Sequence, residues 1–127
     1  MRKPTAITIG DTVAFAAPAS SAKQDKFAYA VSAFQSRGYS VVIGERCEPK
    51  SQNESWTDQE RVDELRRFWA DDEVKAIISV RGGYGCARLL EHIDIREFAE
   101  HPKLFAGFSD ITTLHTALNN AGLITLH

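Results

Sequence analysis

The run Ala76-Ile77-Ile78-Ser79-Val80 most constrains how this chain can fold. It is almost continuously apolar, whereas a strand with one face in water alternates apolar and polar residues. Such a run is typical of a strand inside a parallel sheet whose two faces are both covered by helices. Directly after it comes Arg81-Gly82-Gly83-Tyr84-Gly85. The strand therefore ends in a glycine-rich loop whose backbone can approach a ligand closely.

Strand and helix patterns alternate along the whole chain. Besides the central run, strands are predicted at residues 13–17, 39–43 and 104–108, with the start of a fifth at 123–126. Helices are predicted at residues 27–37, after the capping box at 57–60, in parts of 89–98, and at 111–120, while 45–55 reads as a long loop. This order predicts an α/β fold, a parallel sheet with helices on both faces, of the flavodoxin-like or class I glutamine amidotransferase-like kind. Such sheets bind ligands at the carboxyl ends of their strands.

Length and charge limit the class of function. The 127 residues form one domain, and 15 basic against 17 acidic side chains give a formal net charge of -2. This balance argues against nucleic acid or a membrane surface as partner and favours a small neutral or zwitterionic ligand. Cys47 and Cys86 lack the spacing of a metal site, so we expect reduced thiols in the cytoplasm, with no metal and no cofactor.

The amino terminus faintly resembles a signal peptide, because Arg2 and Lys3 precede an apolar run that ends at Ala17-Pro18-Ala19. Gly10 and Asp11 interrupt the approach to that run, and its apolar part is short. Secretion is therefore not the favoured interpretation. No stretch approaches the roughly 20 apolar residues of a membrane span.

Ser109 is the candidate nucleophile. It lies in Gly107-Phe108-Ser109-Asp110-Ile111-Thr112, between the last full strand and the last helix. A serine at a sharp strand-to-helix turn presents its hydroxyl outward, and the next amide in the chain can bind an oxyanion. The same residues could also be an ordinary helix start capped by serine. Only half of the Gly-x-Ser-x-Gly elbow is present, because Ile111 stands where the second glycine would be.

The glycine loop and Ser109 would face one crevice if their strands are neighbours. The amide of Asp110, together with an amide from Gly82 or Gly83, could then form an oxyanion hole. Two other interpretations stay open, a loop that binds an anion and a plain turn. No Walker motif and no Gly-x-Gly-x-x-Gly fingerprint is present.

A serine nucleophile needs a base, and none of the four histidines is persuasive. His115 lies on the same helix as Ser109, on nearly the opposite side from its start, and is predicted to be a core or a surface histidine. His92 and His101 flank a charged segment and are predicted to be solvated, while His127 is the last residue.

The remaining polar candidates have plain structural interpretations. The carboxylate of Asp110 is expected to stabilise the helix dipole rather than act in a triad. Cys86 is expected to be a small buried residue. Arg81 and Arg88 could bind a substrate carboxylate or pair with Glu91 or Asp94, and the pairing is slightly favoured.

The glycine loop and the serine turn occur together in a known family. The segments that carry the resemblance are, in chain order, Gly10-Asp11-Thr12, Ala17-Pro18-Ala19-Ser20, Arg81-Gly82-Gly83-Tyr84-Gly85, Arg88-Leu89-Leu90, Pro102-Lys103, Gly107-Phe108-Ser109-Asp110-Ile111-Thr112 and Gly122-Leu123-Ile124-Thr125-Leu126-His127. Over the whole chain they resemble the LD-carboxypeptidase family, also called muramoyltetrapeptide carboxypeptidases.

The resemblance implies a serine peptidase that releases the terminal D-alanine of murein tetrapeptides by cutting an L,D amide bond in cytoplasmic cell-wall recycling. Ser109 matches the nucleophile, and the amides of Asp110 and of Gly82 or Gly83 match the oxyanion donors. The glycine motif and the segment directly after it make Arg81, Tyr84 and Arg88 candidates for binding substrate. A related branch, the microcin-immunity enzymes, cleaves a peptide-nucleotide antibiotic with the same serine chemistry, and the sequence does not separate the two.

Members of this family have a carboxy-terminal domain that supplies the glutamate and histidine of a Ser-His-Glu triad. Residues 1–127 match the nucleophile-bearing amino-terminal domain alone, which agrees with the lack of a convincing base. We therefore expect this domain to be nearly inactive by itself, and to form a homodimer through the apolar surface that the second domain would cover. A non-catalytic α/β binding module is the alternative from a different class.

Overall fold

Strands and helices alternate in the computed structural model, which describes residues 1–51 and 53–127. The strands are β1 (Thr12–Ala16), β2 (Ser40–Ile43), β3 (Val74–Ser79) and β4 (Leu104–Ala106). The helices are α1 (Gln24–Ser36), α2 (Asp58–Ala70), α3 (Cys86–Leu89), α4 (Ile95–Glu100) and α5 (Thr112–Asn120), with short 3-10 turns at Glu45–Cys47 and Ser109–Ile111. No helix in this described part of the chain is long and apolar enough to cross a membrane.

The four strands form one parallel sheet in the order β2-β1-β3-β4. Phe15 of β1 lies between Ile43 of β2 and Ile78 of β3. The chain thus runs from β1 to one neighbour and then returns to the other side of β1, which creates a switch point between β1 and β3. The predicted α/β fold with a parallel sheet is confirmed, and its loops at the carboxyl ends of β1 and β3 meet at this switch point.

Each face of the sheet carries its own apolar layer. Successive residues of β1 enter opposite layers, because side chains alternate along a strand. On one face, Val13 and Phe15 pack with Phe27 of α1; on the other, Ala14 packs with residues of α2 and α5 such as Leu65. Most of β3 is buried. Its continuous apolar run predicted this, because it indicated a strand covered on both faces.

Several predicted boundaries differ from the structure. The region predicted to be helical in parts divides into α3 and α4, because the Asp94 carboxylate accepts a hydrogen bond from the Arg96 amide and begins a new helix. The predicted fifth strand forms no ladder and pairs through two isolated parallel bridges, Leu123 with Arg2 and Leu126 with Ala106. The predicted long loop begins with a 3-10 turn, and Gln52 within it lies outside the described residues.

Candidate active site

Ser109 sits at a sharp turn between β4 and α5. Its φ is 60°, and it is the non-glycine residue with positive φ in the described ranges 1–51 and 53–127. This left-handed conformation is costly for a residue with a side chain, and it turns the chain abruptly from strand to helix. A methyl group on Gly107 would lie 2.7 Å from Cγ2 of Ile111, so the turn also requires a glycine before the serine. The predicted turn is confirmed.

The alternative interpretation of this segment, an ordinary helix start capped by Ser109, is wrong. Phe108 precedes the 3-10 turn, and no side chain caps that turn or the next helix, α5. The Ser109 hydroxyl therefore does not cap a helix. Ser109 is exposed at the carboxyl end of the sheet.

The glycine loop lies directly against Ser109, because β3 and β4 are neighbours in the sheet. A methyl group on Gly82 would lie 2.6 Å from Cβ of Ser109, 2.8 Å from its Oγ, and 3.3 Å from the backbone nitrogen of Asp110. Any side chain at position 82 would displace the hydroxyl. The structure thus brings together the glycine loop, Ser109 and the Asp110 amide, as the sequence predicted for neighbouring strands.

The loop after β1 sets the direction of the peptide groups in the glycine loop. The Ser20 amide donates to the Gly82 carbonyl at 3.3 Å, and the Ser20 hydroxyl accepts from the Tyr84 amide at 3.1 Å. All peptide bonds in the described residues are trans, so the N–H of Gly83 points away from Ser20, opposite to the Gly82 carbonyl. Neither the Gly82 nor the Gly83 amide donates a hydrogen bond to any residue that the structure describes.

The Asp110 carboxylate accepts a hydrogen bond from the Cys86 amide at 3.0 Å. The carboxylate therefore binds the first residue of α3, Cys86, as well as lying at the start of its own helix. The Cys86 side chain is fully buried, and burial, followed by the nearby Asp110 carboxylate, raises the pKa of its thiol to about 12. A thiol that stays protonated at neutral pH is a poor nucleophile, so Cys86 is a packing residue.

His115 supports the Ser109 turn from inside the molecule. Its Nε2 lies 2.8 Å from the Gly107 carbonyl, and its Nδ1 lies 2.8 Å from the Thr125 hydroxyl. Because a carbonyl only accepts, Nε2 carries the proton, and Nδ1 is free to accept from Thr125. The side chain is 4% exposed, and burial lowers its pKa. Of the two places predicted for His115, the core and the surface, it lies in the core.

The other three histidines bind a different residue or are exposed. Nε2 of His127 is 3.0 Å from the Thr112 hydroxyl, while His92 and His101 are exposed. Within residues 1–51 and 53–127, none of the four hydrogen bonds to Ser109. The described part of the chain holds nucleophile geometry without a base.

Arg88 has a partner other than the two predicted. It donates to the Asp58 carboxylate at 3.0 and 3.3 Å, so the expected pairing with Glu91 or Asp94 is wrong. Asp94 instead binds Arg96, two residues along the chain. The pairing of Arg88 with Asp58 depends on α2 and α3 meeting in space, which local sequence does not reveal.

The predicted substrate-binding residues fall in two places. Tyr84 and Arg88 line a cavity of about 510 Å³ beside the glycine loop, with Ser20 and Arg61. Tyr84 is 81% exposed. Arg81 is exposed and forms no ion pair with the described residues, and neither it nor Ser109 lines this cavity.

Sequence reasoning missed Arg61, whose buried guanidinium lies under the glycine loop. It hydrogen bonds to the carbonyls of Ala19 and Tyr84 and to the Asp58 carboxylate. One signal was available, because Arg61 precedes Leu65 by four residues and so lies on the buried face of α2.

Comparisons with known proteins agree with this geometry. A family model described as "LD-carboxypeptidase N-terminal domain" matches residues 13–127. The "Probable murein peptide carboxypeptidase" of Bacillus subtilis is 40% identical over 126 residues, which are 98% of this chain and 40% of the relative. The chain thus spans about 40% of the length of the curated relative that it matches.

Two solved structures have the same fold. A MccF-like protein from Bacillus anthracis superposes with a TM-score of 0.89 at 31% identity, over 98% of this chain and 39% of that chain. A muramoyltetrapeptide carboxypeptidase from Oxalobacter formigenes superposes with a TM-score of 0.77 at 30% identity, over 90% of this chain and 38% of that chain.

Proposed function

The chain belongs to the LD-carboxypeptidase family and matches the N-terminal domain of that family. We propose that it supplies the nucleophile of a serine peptidase that releases the terminal D-alanine of murein tetrapeptides. One observation carries the proposal. Ser109, in a left-handed turn, lies against the glycine loop and beside a backbone amide that can bind an oxyanion. The names of the relatives, which include murein peptide carboxypeptidases, support murein peptides as the substrate class.

The proposed reaction begins when Oγ of Ser109 attacks the carbonyl carbon of the L,D amide. A base takes the hydroxyl proton and gives it to the leaving amine of D-alanine as the C–N bond breaks. Water then hydrolyses the serine ester and regenerates the hydroxyl. The base would be a histidine, oriented by a glutamate, from protein sequence outside residues 1–127.

The oxyanion would be held by the amide of Asp110 and an amide of the glycine loop. Of the two glycines considered, Gly83 is better supported, because its N–H points away from Ser20. Removing one such donor typically costs about 10²–10³ in kcat.

Substrate would extend from Ser109 across the glycine loop. Tyr84 and Arg88 are proposed to contact the peptide from the cavity that they line, and Arg81 from its exposed position beside the loop. An arginine can bind a carboxylate through two parallel hydrogen bonds, which suits an acidic peptide.

We place this enzyme in the cytoplasm. Cys47 and Cys86 are both buried free thiols, which is ordinary in a reducing compartment. We also propose that residues 1–127 by themselves form a homodimer, because apolar side chains near β4 are exposed.

Release of D-alanine from a murein tetrapeptide tests the function. We expect the complete product of this gene to release it, and residues 1–127 alone, or the complete product carrying Ser109→Ala, to lose at least a thousandfold in rate. Ser32→Ala, an exposed serine of α1, is the matched control and should keep full activity. A folded complete product that releases no D-alanine would contradict the proposal.

A second candidate function is a microcin-type peptidase, favoured by the superposition on the MccF-like structure. The same protein would then hydrolyse an aminoacyl-adenylate analogue faster than a murein tetrapeptide. Comparison of kcat/KM for the two substrates separates the candidates.

A further inference from the structure

Arg61 is a charged side chain inside the fold. It projects from the first turn of α2, and only 8% of the residue is exposed. Taking a guanidinium out of water is costly unless partners compensate for the lost hydration. Its Nη1 hydrogen bonds to the Ala19 carbonyl and, at 3.4 Å, to the Tyr84 carbonyl. One buried cation therefore joins α2, the loop after β1 and the glycine loop after β3.

Asp58 compensates the charge of Arg61. Its carboxylate accepts a hydrogen bond from Nη2 of Arg61, one turn along α2, and two from Arg88 on α3. Hydrogen bonding to Arg88, and then to Arg61, holds the pKa of Asp58 below its ordinary value. The carboxylate thus stays ionised at neutral pH and holds the buried guanidinium in one orientation.

Gly85 allows the two guanidinium groups to come so close to the glycine loop. Its φ is 102°, and a methyl group there would lie 2.8 Å from Nη2 of Arg88 and 2.9 Å from Nη2 of Arg61. A side chain at this position would both strain the backbone and displace the arginines. The absence of a side chain at Gly85 is a requirement of the Arg61 site.

The contacts of Arg61 and Ser20 together define the peptide groups that face Ser109. Arg61 binds the Tyr84 carbonyl, while Ser20 binds the Tyr84 amide and the Gly82 carbonyl. Ala19, whose carbonyl Arg61 also binds, is the residue directly before Ser20. Arg61 therefore acts on the glycine loop twice, directly at Tyr84 and through the chain that carries Ser20.

We propose that Arg61 is a positioning residue for the oxyanion-binding amide of the glycine loop. Its hydrogen bonds go to Ala19, Tyr84 and Asp58 and not to Ser109, and it works by fixing the peptide planes from Gly82 to Tyr84. This role rests on the proposed function, in which the Gly83 amide binds the oxyanion. Displacement of a catalytic group by about 1 Å can cost on the order of a hundredfold in rate, so loss of Arg61 should act on the chemical step.

Arg61→Ala in the complete gene product tests the role. We expect kcat for D-alanine release to fall about a hundredfold while KM changes less than about threefold. Arg66→Ala is the matched control, since Arg66 lies on the same helix and its ion pairs, to Asp63 and Glu97, are exposed. Its kcat should equal that of the unchanged protein. An Arg61→Ala protein with unchanged kcat would overturn the role.

Chemical rescue separates positioning from simple loss of structure. The cavity lined by Arg61 is open to solvent on the side of Tyr84, so added guanidinium at low millimolar concentration can enter the space left by Arg61→Ala. Added guanidinium should raise the kcat of Arg61→Ala at least tenfold. Methylammonium, which lacks the planar fork of donors, should not raise it. Equal effects of the two cations, or of either cation on the Arg66→Ala control, would contradict the role.

Hydrogen exchange tests the positioning without any catalysis. The Tyr84 amide, bonded to Ser20, should exchange at least tenfold faster in Arg61→Ala and at the normal rate in Arg66→Ala. If the unchanged protein releases no D-alanine but shows this difference, the proposed function fails and the positioning of the loop stands. Equal exchange of the Tyr84 amide in the two variants would refute the positioning itself.

Discussion

At the scale of single residues, the candidate site depends on the backbone of Ser109. A side chain at φ 60° costs free energy that a glycine there would not, and the surrounding structure must hold the serine in place. The close approach of Gly82 and the contact of Gly107 with Ile111 both depend on missing side chains. Gly107 and Ser109 form one turn, against which Gly82 packs, and in that turn a hydroxyl is exposed and a free amide comes directly after it.

The strain at Ser109 predicts an unusual order of stability. In residues 1–127, Ser109→Gly should be more stable than Ser109→Ala by about 1 kcal/mol, because glycine adopts positive φ without steric cost. In a helix interior the order reverses, since alanine is then favoured by up to about 1 kcal/mol. Urea unfolding of the two variants measures the difference. Greater stability of Ser109→Ala would show that the turn is not left-handed.

At the scale of secondary-structure elements, the two loops at the carboxyl ends of β3 and β4 depend on buried supports. His115 of α5 binds the Gly107 carbonyl just before the nucleophile, and Arg61 of α2 binds the glycine loop. Both side chains lie on buried helix faces and direct polar atoms at the loops. The helices therefore position the candidate site as well as filling the core.

His115 predicts a pH dependence of stability. Burial lowers its folded-state pKa below the ordinary value of 6.5, so the unfolded chain binds its proton more readily. This contribution to stability is complete above pH 6.5 and is lost as the pH falls through the folded pKa. Urea unfolding between about pH 7 and pH 5 should show a steeper loss for the unchanged chain than for His115→Gln.

A matched control for this titration is His101→Gln, which removes an exposed histidine. As the pH falls, its free energy of unfolding should decline as steeply as that of the unchanged chain. Parallel curves for His115→Gln and the unchanged chain would contradict the assignment of a buried, neutral His115.

The order of elements could be predicted from the sequence because each signal is local. The apolar run of β3, the capping box before α2 and Gly38 after α1 act within a few residues, and each matches the structure. The partner of Arg88 could not be predicted, since Asp58 is thirty residues away along the chain and the two meet only when α2 and α3 pack. Arg61 was missed although its place on the buried face of α2 could be read from the sequence, because its contacts with the two loops are to backbone carbonyls, which carry no sequence signal.

The site is likewise partly predictable. A serine between a short apolar run and a helix, with glycines after a neighbouring strand, is visible as a pattern, and the structure brings the two loops together. The direction of the Gly83 N–H depends on Ser20, which lies more than sixty residues earlier. No local pattern contains that information.

At the scale of the whole molecule, apolar surface lies near β4 and the end of the described chain. Phe108 is 61% exposed, Leu126 is 54% exposed, and Ile124 is 37% exposed. Leu126 pairs with the outer edge of β4, and Phe108 comes shortly after that strand. Exposed apolar side chains close together favour contact with further protein surface.

This surface predicts self-association of residues 1–127. Sedimentation equilibrium should show a dimer, and the double variant Phe108→Ser with Leu126→Ser should weaken it by at least tenfold in Kd, because the apolar area buried at the interface falls. Tyr29→Ser, which removes an 86% exposed aromatic side chain from α1, is the matched control and should leave the dimer unchanged. A monomer at millimolar concentration would contradict the proposed homodimer.

Covalent labelling by a serine-directed fluorophosphonate is the sharpest test of the proposed nucleophile, because it reports the reactive hydroxyl itself and needs no knowledge of the substrate. We expect one adduct on the complete gene product, mapped to Ser109, absent from Ser109→Ala and retained in Ser32→Ala. Labelling should be at least a hundredfold slower on residues 1–127 alone, where none of the histidines that the structure describes hydrogen bonds to the serine. A folded complete product without an adduct, or with its adduct on another residue, would contradict the assignment of Ser109 and favour a non-catalytic binding module.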